Sequence, residues 1–296
     1  MIICDLKCYD PKIYNGYLVP CGQCYACKLK RSNDWQFRLK QEYINHNYRC
    51  LFVTFTYDDE SLHVVPKPDY ISPEDRLAFF KANYPVDDGI AVLFKRDIQL
   101  FNKRARHDLP PFTYFIVGEY GPTTLRPHYH ALYFGLDMSS YDKISELWKF
   151  GFIKADLVSP GRIAYVSKYS LLPCEIPEFY RNKEYKPFMI CSKGLGIQYL
   201  QNPQTVAMHQ NNDILFVNDN GYKKSLPRYY RNKVFSEDKQ VQFADEYKQK
   251  TREMLDEFYS LEMDPDLCER TTKRKKDWVE QHRYHVEEKM LKKSKL

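Results

Sequence analysis

Apolar positions near the start of the chain repeat first with the period of a helix and then with that of a strand. Residues 27–43 contain no glycine or proline, and Trp35, Leu39 and Tyr43 recur every fourth residue. That spacing places the three side chains on one face of a helix. Residues 50–57 then alternate around β-branched and aromatic side chains, which predicts a strand.

Two further runs, residues 112–119 and 128–135, have the composition of strands and are separated by a connection with one glycine and two prolines. Runs joined in this way form antiparallel hairpins. Pairing across the hairpin would bring Glu119, at the end of the first run, beside His128 and His130 at the start of the second.

The remaining periodic segments are helical at residues 94–105, 139–150 and 161–172 and extended at residues 152–158. A proline-rich stretch before residue 94 is interpreted as turns. From residue 50 onward the predicted order is strand, helix, strand, strand, helix, strand, helix. This order predicts a mostly antiparallel β-sheet with helices packed on it, which is an α+β fold.

A length of 296 residues, 43% of them hydrophobic, suits one large domain or one domain with appendages. The formal net charge is +6, and 45 Lys and Arg accompany 25 Tyr and 18 Phe. Such a composition suits a surface that contacts phosphates and stacks on bases. On charge alone, a solvated basic surface is an equally good interpretation.

No run approaches the ~20 apolar residues that span a bilayer, and the first five residues lack the regions of a signal peptide. We therefore expect a soluble, cytoplasmic protein with no membrane partner. Five of the nine cysteines lie between residues 4 and 27. A reducing compartment favours metal binding over disulfides for such a cluster, so we expect no structural disulfide.

His128 and His130 form a His-x-His pair, and alternation along a strand points both imidazoles to one face. Two neutral imidazoles and a carboxylate form a donor set for a divalent metal that keeps positions open for water and substrate oxygens. Glu119 is the natural third ligand if the hairpin forms. Without that carboxylate, a structural histidine pair is an equally good interpretation.

A second constellation is Tyr165, Lys168 and Tyr169 in the predicted helix at residues 161–172. The two tyrosines lie four residues apart and so share one helical face. In a chain with 25 tyrosines this spacing is expected by chance, and packing of the helix onto the sheet would explain it. The order of the motifs gives the pair weight, because it follows a strand with two threonines and then the His-x-His strand.

With these motifs in this order, the chain resembles the HUH endonucleases that start rolling-circle replication. Within that family it is most similar to the replication initiators of small single-stranded DNA phages of the microvirus type, especially the gokushovirus branch. Three segments carry the resemblance: residues 52–59 (Phe-Val-Thr-Phe-Thr-Tyr-Asp-Asp), 126–130 (Arg-Pro-His-Tyr-His) and 165–169 (Tyr-Val-Ser-Lys-Tyr). Three motifs in the right order are much more specific than any one alone.

The resemblance covers roughly residues 8–200 and extends to two further segments, residues 20–27 and 192–197. In the second of these, relatives usually have a proline before the second glycine, where this chain has Leu195. No function is carried onto that segment.

The resemblance implies an HUH-type core, a mostly antiparallel sheet flanked by helices, at residues 47–200. It would follow a cysteine-rich segment and helix at residues 1–46. A variable segment and a basic helical tail would complete the chain at residues 201–296.

The resemblance also implies that His128, His130 and Glu119 hold Mg²⁺ or Mn²⁺ and that Tyr165 and Tyr169 are nucleophiles. A tyrosine would attack a phosphodiester to give a 5′-phosphotyrosine link and a free 3′-hydroxyl, and the second tyrosine would act after one circuit of replication. The implied partners are single-stranded origin DNA, the double-stranded replicative form, and the replication helicase and polymerase of a bacterial host. Lys168 would stabilise phenolate or phosphate charge, although a solvent-facing helix lysine is the ordinary interpretation.

The cysteines Cys21, Cys24 and Cys27 place three thiols within seven residues, and a fourth ligand is available from Cys8 or Cys4. Tetrahedral zinc is the economical explanation. The resemblance favours Cys8 as the fourth ligand. An iron–sulfur cluster and plain reduced thiols are the alternatives.

The last residues, 264–296, are helix-prone and carry two basic clusters at 273–276 and 292–295. They are suited to non-specific contact with the DNA backbone, or they form a solvated helical appendage. Residues 237–262 predict another exposed helix.

Three classes of function follow from the sequence. The leading one is a nicking and joining enzyme. A non-catalytic zinc-containing DNA-binding protein has no need of the aligned Glu119, His128 and His130, and a metal-dependent hydrolase would use activated water and have no need of Tyr165 or Tyr169.

Overall fold

The structure is a computed structural model that describes residues 8, 12–14, 17–81, 89–169, 176–247 and 249. The chain divides into two units. The first, residues 1–12 and 19–236, contains the central sheet and the sites described below. In the second, residues 13–18 and 237–296, residues 237–247 are helical. Residues 264–296, for which a basic helical tail is expected, lie outside the described residues.

Strands outside the central sheet are short and form two-stranded sheets. These pair β1 (Lys12–Tyr14) with β2 (Tyr17–Val19), β4 (Val64–Val65) with β5 (Ile90–Ala91), and β10 (Phe216–Asp219) with β11 (Tyr222–Ser225). The central sheet contains β3 (Cys50–Tyr57), β6 (Thr113–Tyr120), β7 (Pro127–Phe134), β8 (Gly151–Leu157) and β9 (Phe188–Cys191).

The central sheet has the strand order β8-β3-β7-β6-β9, and every neighbouring pair is antiparallel. The helices are α1 (Tyr25–Asn45), α2 (Pro73–Lys81), α3 (Lys95–Asp108), α4 (Tyr141–Leu147), α5 (Pro160–Tyr169), α6 (Pro203–Asn211) and α7 (Arg228–Val234). The predicted α+β fold, a mostly antiparallel sheet flanked by helices, is confirmed.

The predicted elements from residue 27 to residue 169 are all present, with ends that differ by a few residues. The exceptions lie in the proline-rich stretch interpreted as turns, which contains α2, β4 and β5. Pro73 opens α2, and Glu74 and Asp75 lie in its first turn. Proline at the first helical position and acidic residues beside it both favour a helix start, so the signal for α2 was present.

Helix α4 is shorter than the predicted segment 139–150. It ends at Leu147 because Trp148 adopts an extended backbone and buries its indole among aromatic side chains that include Phe55 and Phe101. Core packing of Trp148 therefore outweighs continuation of the helix.

Each face of the central sheet packs against a different set of helices. On one face, Val53 and Phe55 of β3 share a buried cluster with Ile98 and Phe101 of α3 and with Ile144 of α4. Strand alternation sends the next residues to the other face. There, side chains of β3, β6 and β7 pack against α1 and α5, namely Phe52, Phe115, Val117, Leu132, Phe134, Leu39, Ile163 and Val166.

The buried carboxylate of Glu42 in α1 holds the segment that follows β9. It accepts hydrogen bonds from the backbone N–H of Gly196 (2.7 Å) and the hydroxyl of Thr113 (2.7 Å), and His46 lies 3.1 Å away. A buried carboxylate is stable only when its oxygens are paired in this way. The segment for which the sequence carried no function therefore has a packing role against α1.

Among the described helices, none combines the length and the apolar composition needed to cross a membrane. The described cysteines, Cys8, Cys21, Cys24, Cys27, Cys50 and Cys191, are all free thiols. No disulfide therefore crosslinks the described part of the chain.

We predict that Gly151→Ala destabilises the fold more than Gly194→Ala. Both glycines have positive φ, +141° and +79°. A Cβ at Gly151 would meet the backbone of Thr56 and Asp58, whereas a Cβ at Gly194 would meet nothing within 4 Å. Gly151→Ala should lower the free energy of unfolding by about 3 kcal/mol and Gly194→Ala by about 1 kcal/mol. Denaturant unfolding of both variants measures this, and equal losses would contradict the assignment.

Candidate metal and tyrosine site

One end of the sheet face covered by α1 and α5 changes from apolar to polar. Moving along β7 from Phe134, the side chains on this face are Phe134, Leu132, His130 and His128. The register pairs His128 with Glu119 of β6 and with Thr56 of β3. Cross-strand neighbours lie ~5 Å apart, so this end of the sheet gathers the predicted ligands into one row.

Glu119, His128 and His130 converge as the hairpin predicted. The Nε2 atoms of His128 and His130 each lie 3.1 Å from Oε1 of Glu119. One ligand atom from each residue falls within 4.8 Å of the other two, so the group can hold a metal ion. Glu119 is buried and the histidines are largely so.

Hydrogen bonds at the other ring nitrogens orient both imidazoles. Nδ1 of His128 lies 3.1 Å from the carbonyl oxygen of Arg126. A carbonyl only accepts, so Nδ1 carries a proton and Nε2, which faces Glu119, is the nitrogen available to a metal. Nδ1 of His130 lies 2.9 Å from the hydroxyl of Thr54, its cross-strand partner. Bonds of this kind fix the ring orientation of metal-binding histidines.

The charge of Glu119 is favoured by the same two histidines. Burial alone would raise the pKa of its carboxyl group, but the hydrogen bonds from His128 and His130 outweigh burial and lower the pKa. The residue is therefore a carboxylate at neutral pH and can serve as an anionic ligand. A divalent ion that replaces the Nε2 protons would meet two imidazole nitrogens and one carboxylate oxygen, a set that suits ions which also accept oxygen ligands.

Arg126 fastens the turn of the hairpin to the end of β3. Its guanidinium donates to the carbonyl oxygen of Tyr57 (2.8 Å) and forms an ion pair with Asp59 (2.7 Å). Because its own carbonyl oxygen accepts from His128, Arg126 connects the strand end directly to a ligand. The position of Arg126 next to the His-x-His pair was visible in the sequence, but these contacts depend on the fold.

Tyr165 of α5 lies beside the histidines. Its ring centroid is 6.0 Å from that of His130, with the two planes near perpendicular, and the side chain is 41% exposed. Ile163 and Val166 on the same helix are buried against the sheet, which sets the position of Tyr165. Phe52 of β3 also packs on the His130 ring, at 5.4 Å between centroids.

Lys168 and Tyr169 occupy the last two positions of α5. Their side chains lie outside the described part of the structure. The four-residue spacing from Tyr165 to Tyr169 within one helix places the two positions on one face. Their roles stay predictions.

A polar network on the opposite face of the sheet supports the His-x-His strand, and the sequence did not reveal it. The hydroxyl of Tyr129, the residue between the two histidines, lies 2.7 Å from that of Tyr57 and 3.0 Å from the carbonyl oxygen of Phe94. Tyr57 also donates to Asp97 (2.8 Å), which accepts from His63 (2.6 Å). Burial raises the pKa of Tyr129 and of Tyr57, so both phenols stay protonated.

A second group of potential metal ligands consists of Cys8, Cys21, Cys24 and Cys27, whose sulfur atoms lie within 4.8 Å of one another. The Sγ atoms of Cys21 and Cys27 are 4.0 Å apart, and those of Cys24 and Cys8 are 3.8 Å apart. Four thiols converging in this way can hold a metal ion. Cys8 is thus the fourth thiol of the group, and Cys4, the other candidate, lies outside the described residues.

The four thiols have different acidities. Backbone N–H groups of Cys24 (3.2 Å) and Gln23 (3.4 Å) donate to the sulfur of Cys21 and lower its pKa to about 6. Burial raises the pKa of Cys27 to about 12. Without a metal, Cys21 is therefore the principal thiolate of this pair at neutral pH, and the thiolate is the ligand form.

Comparison with known proteins assigns the segment that holds the metal and tyrosine site to a replication family. Residues 50–171 match the family model described as replication-associated protein ORF2. This segment contains Glu119, His128, His130, Tyr165 and Tyr169. It belongs to the ORF2 replication-associated family. The recognition of a phage replication family from the three motifs is thereby confirmed.

Relatives extend the similarity beyond the segment that matches the ORF2 family model. The chain is 24% identical over 251 residues to replication-associated protein ORF2 of Spiroplasma virus 4, covering 78% of this chain and 72% of the relative. It is 24% identical over 282 residues to replication-associated protein ORF4 of Chlamydia phage 1 (85% and 62%). With replication-associated protein VP4 of Bdellovibrio phage phiMH2K it shares 25% over 261 residues (81% and 76%). No solved structure matches the chain.

We predict that Thr54→Val weakens Mn²⁺ binding about tenfold, because it removes the hydrogen bond that orients His130. Thr56→Val is the matched control: Thr56 lies on the same strand and face, but its hydroxyl donates to the carbonyl oxygen of Phe152 (3.2 Å) and not to a histidine. Calorimetric titration with Mn²⁺ measures both variants. Equal affinities for Thr54→Val and Thr56→Val would contradict the role of Thr54.

We predict that, in protein stripped of metal, iodoacetamide modifies Cys21 well before Cys27. The rate at Cys21 should rise with a midpoint near its pKa of about 6, while Cys27 should stay slow because its pKa is about 12. Mass spectrometry of the digested protein measures each site. Added Zn²⁺ should protect both thiols, and equal rates with and without Zn²⁺ would argue against a metal cluster.

Proposed function

We propose that the chain is a rolling-circle replication initiator of the HUH type, which nicks and joins single-stranded DNA at a phage origin through a tyrosine. The observation that carries this proposal is the placement of the Tyr165 ring 6.0 Å from that of His130, in a group where His128 and His130 both face Glu119 at 3.1 Å. A nucleophile and a metal-ligand group therefore share one end of the sheet.

Three residues, Glu119, His128 and His130, would hold the divalent ion, Mg²⁺ or Mn²⁺. Their donor set fits such an ion, since the hydrogen bond at Nδ1 of His128 leaves Nε2 as the ligand atom and the carboxyl group of Glu119 is ionised. When bound, the ion would offset the negative charge of the phosphodiester and of the departing oxygen.

Tyr165 supplies the nucleophile. Its phenolic oxygen forms a bond to phosphorus as the bond to the 3′-oxygen breaks, the phenol loses its proton, and the 3′-oxygen takes up a proton. The products are a 5′-phosphotyrosine link and a free 3′-hydroxyl. The phosphodiester's energy is kept in the link, so a later attack by a 3′-hydroxyl can rejoin the strand without another energy source.

Tyr169 would provide the second nucleophile, four residues along the same helix. After one circuit it would cut the regenerated origin while the released 3′-end attacks the first link, closing a single-stranded circle. Lys168 would lie next to it and stabilise negative charge on the phenolate or phosphate.

The alternatives fit fewer of the observed contacts. A hydrolase that activates water has no need of a partly exposed tyrosine against a metal-binding histidine. A zinc-containing DNA-binding protein accounts for the group of Cys8, Cys21, Cys24 and Cys27 as Zn²⁺ ligands, but it leaves the second ligand group unexplained. In the proposed function the cysteine group is a structural Zn²⁺ site that stabilises the start of α1.

The proposed partners are single-stranded origin DNA, the double-stranded replicative form, and the helicase and polymerase of the host. The setting would be the cytoplasm of a bacterial host. Relatives named as replication-associated proteins of phages support this assignment at the level of replication.

We predict that the full chain with Mn²⁺ forms a protein–DNA band that survives boiling in detergent. The substrate is a set of overlapping single-stranded oligonucleotides that tile the genome encoding the chain, so the origin need not be known. The double variant Tyr165→Phe, Tyr169→Phe and the variant His128→Ala should both abolish the band. The first removes both nucleophiles and the second removes a ligand.

The control is Tyr222→Phe, which changes a tyrosine that is 74% exposed and lies in β11. It should leave the band unchanged. A band that persists in the double tyrosine variant would contradict the proposed nucleophiles. Release of nucleotides without any covalent band would favour the hydrolase, and tight DNA binding without either would favour the DNA-binding protein.

A further inference from the structure

Strand β8 extends the site face of the sheet beyond the metal-ligand group. It is the edge strand next to β3, and the register pairs Phe152 with Thr56 and Lys154 with Thr54. Thr56 and Thr54 are in turn paired with His128 and His130. Two rows of side chains therefore run across the sheet from the histidines to the edge, and they end in an aromatic ring and an ammonium group.

Both of these side chains are open to solvent. Phe152 is 70% exposed, and Lys154 is exposed as well. Their neighbours on β8, Ile153 and Ala155, point to the opposite face and pack against the core there. A bare phenylalanine on an edge strand is an aggregation hazard, so its presence beside a ligand group points to a function.

Helix α5 covers only the far end of β8. Arg162 pairs with Asp156 at 2.7 Å and lies over the ring of Phe52, at 5.2 Å from its centroid. That contact closes the row that contains Asp156 and leaves the rows of Lys154 and Phe152 uncovered by it. The open part of the face therefore lies between α5 and the end of the sheet, on the side of the histidines that faces β8.

The distance from this surface to the reacting phosphate suits a neighbouring nucleotide. Adjacent strands are ~4.8 Å apart, so the Cα atoms of Phe152 and His128, two strands apart, are separated by about 10 Å. A single strand with a phosphate at the histidines can reach Phe152 with a base close to the cut. Bases stack on exposed aromatic rings irrespective of sequence, and lysines pair with phosphates along the backbone.

We propose that Phe152 and Lys154 form a binding subsite for single-stranded DNA beside the cut, in which Phe152 stacks on a base and Lys154 pairs with a backbone phosphate. The subsite deepens the proposed nicking function and rests on it for the location of the cut. It would position the strand across β8, β3 and β7 so that the phosphate meets Tyr165.

The test measures fluorescence anisotropy of a labelled oligodeoxyadenylate with the full chain carrying Tyr165→Phe and Tyr169→Phe, so that no covalent link forms. Added to this background, Phe152→Ala should weaken binding about tenfold, the usual effect of losing one stacked base. Phe152→Trp should restore affinity. The control Leu157→Ala changes a residue on the same strand that is 63% exposed and paired with Leu51 on the opposite face, and it should have no effect.

Lys154→Gln should make binding less dependent on salt, lowering the slope of log affinity against log salt by about 0.7 for the loss of one phosphate contact. Lys103→Gln, an exposed lysine of α3 on the opposite side of the sheet, should leave the slope unchanged. Equal affinities for Phe152→Ala and Leu157→Ala, or an unchanged slope in Lys154→Gln, would overturn the subsite.

The two proposals fail in different ways. A wild-type chain that binds DNA without ever forming the covalent band would refute nicking, whereas the anisotropy measurement would still decide whether Phe152 and Lys154 contact the strand. A covalent band in the wild type together with unaltered binding in Phe152→Ala would refute the subsite alone.

Discussion

The register between β6 and β7 is the constraint on which the site depends. It pairs Glu119 with His128 and Val117 with His130, so one carboxylate faces two imidazoles on the α1 and α5 side of the sheet. A slip of one residue would send all these side chains of β7 to the opposite face. The apolar residues that follow on β7, Leu132 and Phe134, lock the register because they must remain buried.

The two sides of the sheet contribute differently to the site. Buried apolar contacts of α5 carry Tyr165 to His130 on one side. On the other side, Tyr129 is tied through Tyr57 to the buried carboxylate of Asp97. Since Tyr129 lies between the two histidines in sequence, the network holds the ligand strand from behind. Paired polar groups of this kind are costly to break and make the ligand geometry rigid.

Periodicity predicted the central strands, α1, α3 and α5 because each has a strong apolar pattern, and the hairpin connection was enough to bring Glu119 to the histidines. What it did not predict depends on contacts distant in sequence. The hydrogen bond between Thr54 and His130 crosses 76 residues, and the role of Asp97 depends on α3 packing against β3. Helix α2 was missed for a different reason: its prolines and weak apolar pattern resemble those of turns.

The most direct test of the account is mass spectrometry of the covalent product after nuclease treatment and trypsin digestion. Trypsin cleaves after Arg162 and Lys168, so Tyr165 and Tyr169 fall in separate peptides, residues 163–168 and 169–181. The account predicts a nucleotide on the tyrosine of one of these two peptides, and on both when two cuts occur. A nucleotide attached to any other peptide would contradict the assignment of α5 as the source of the nucleophile.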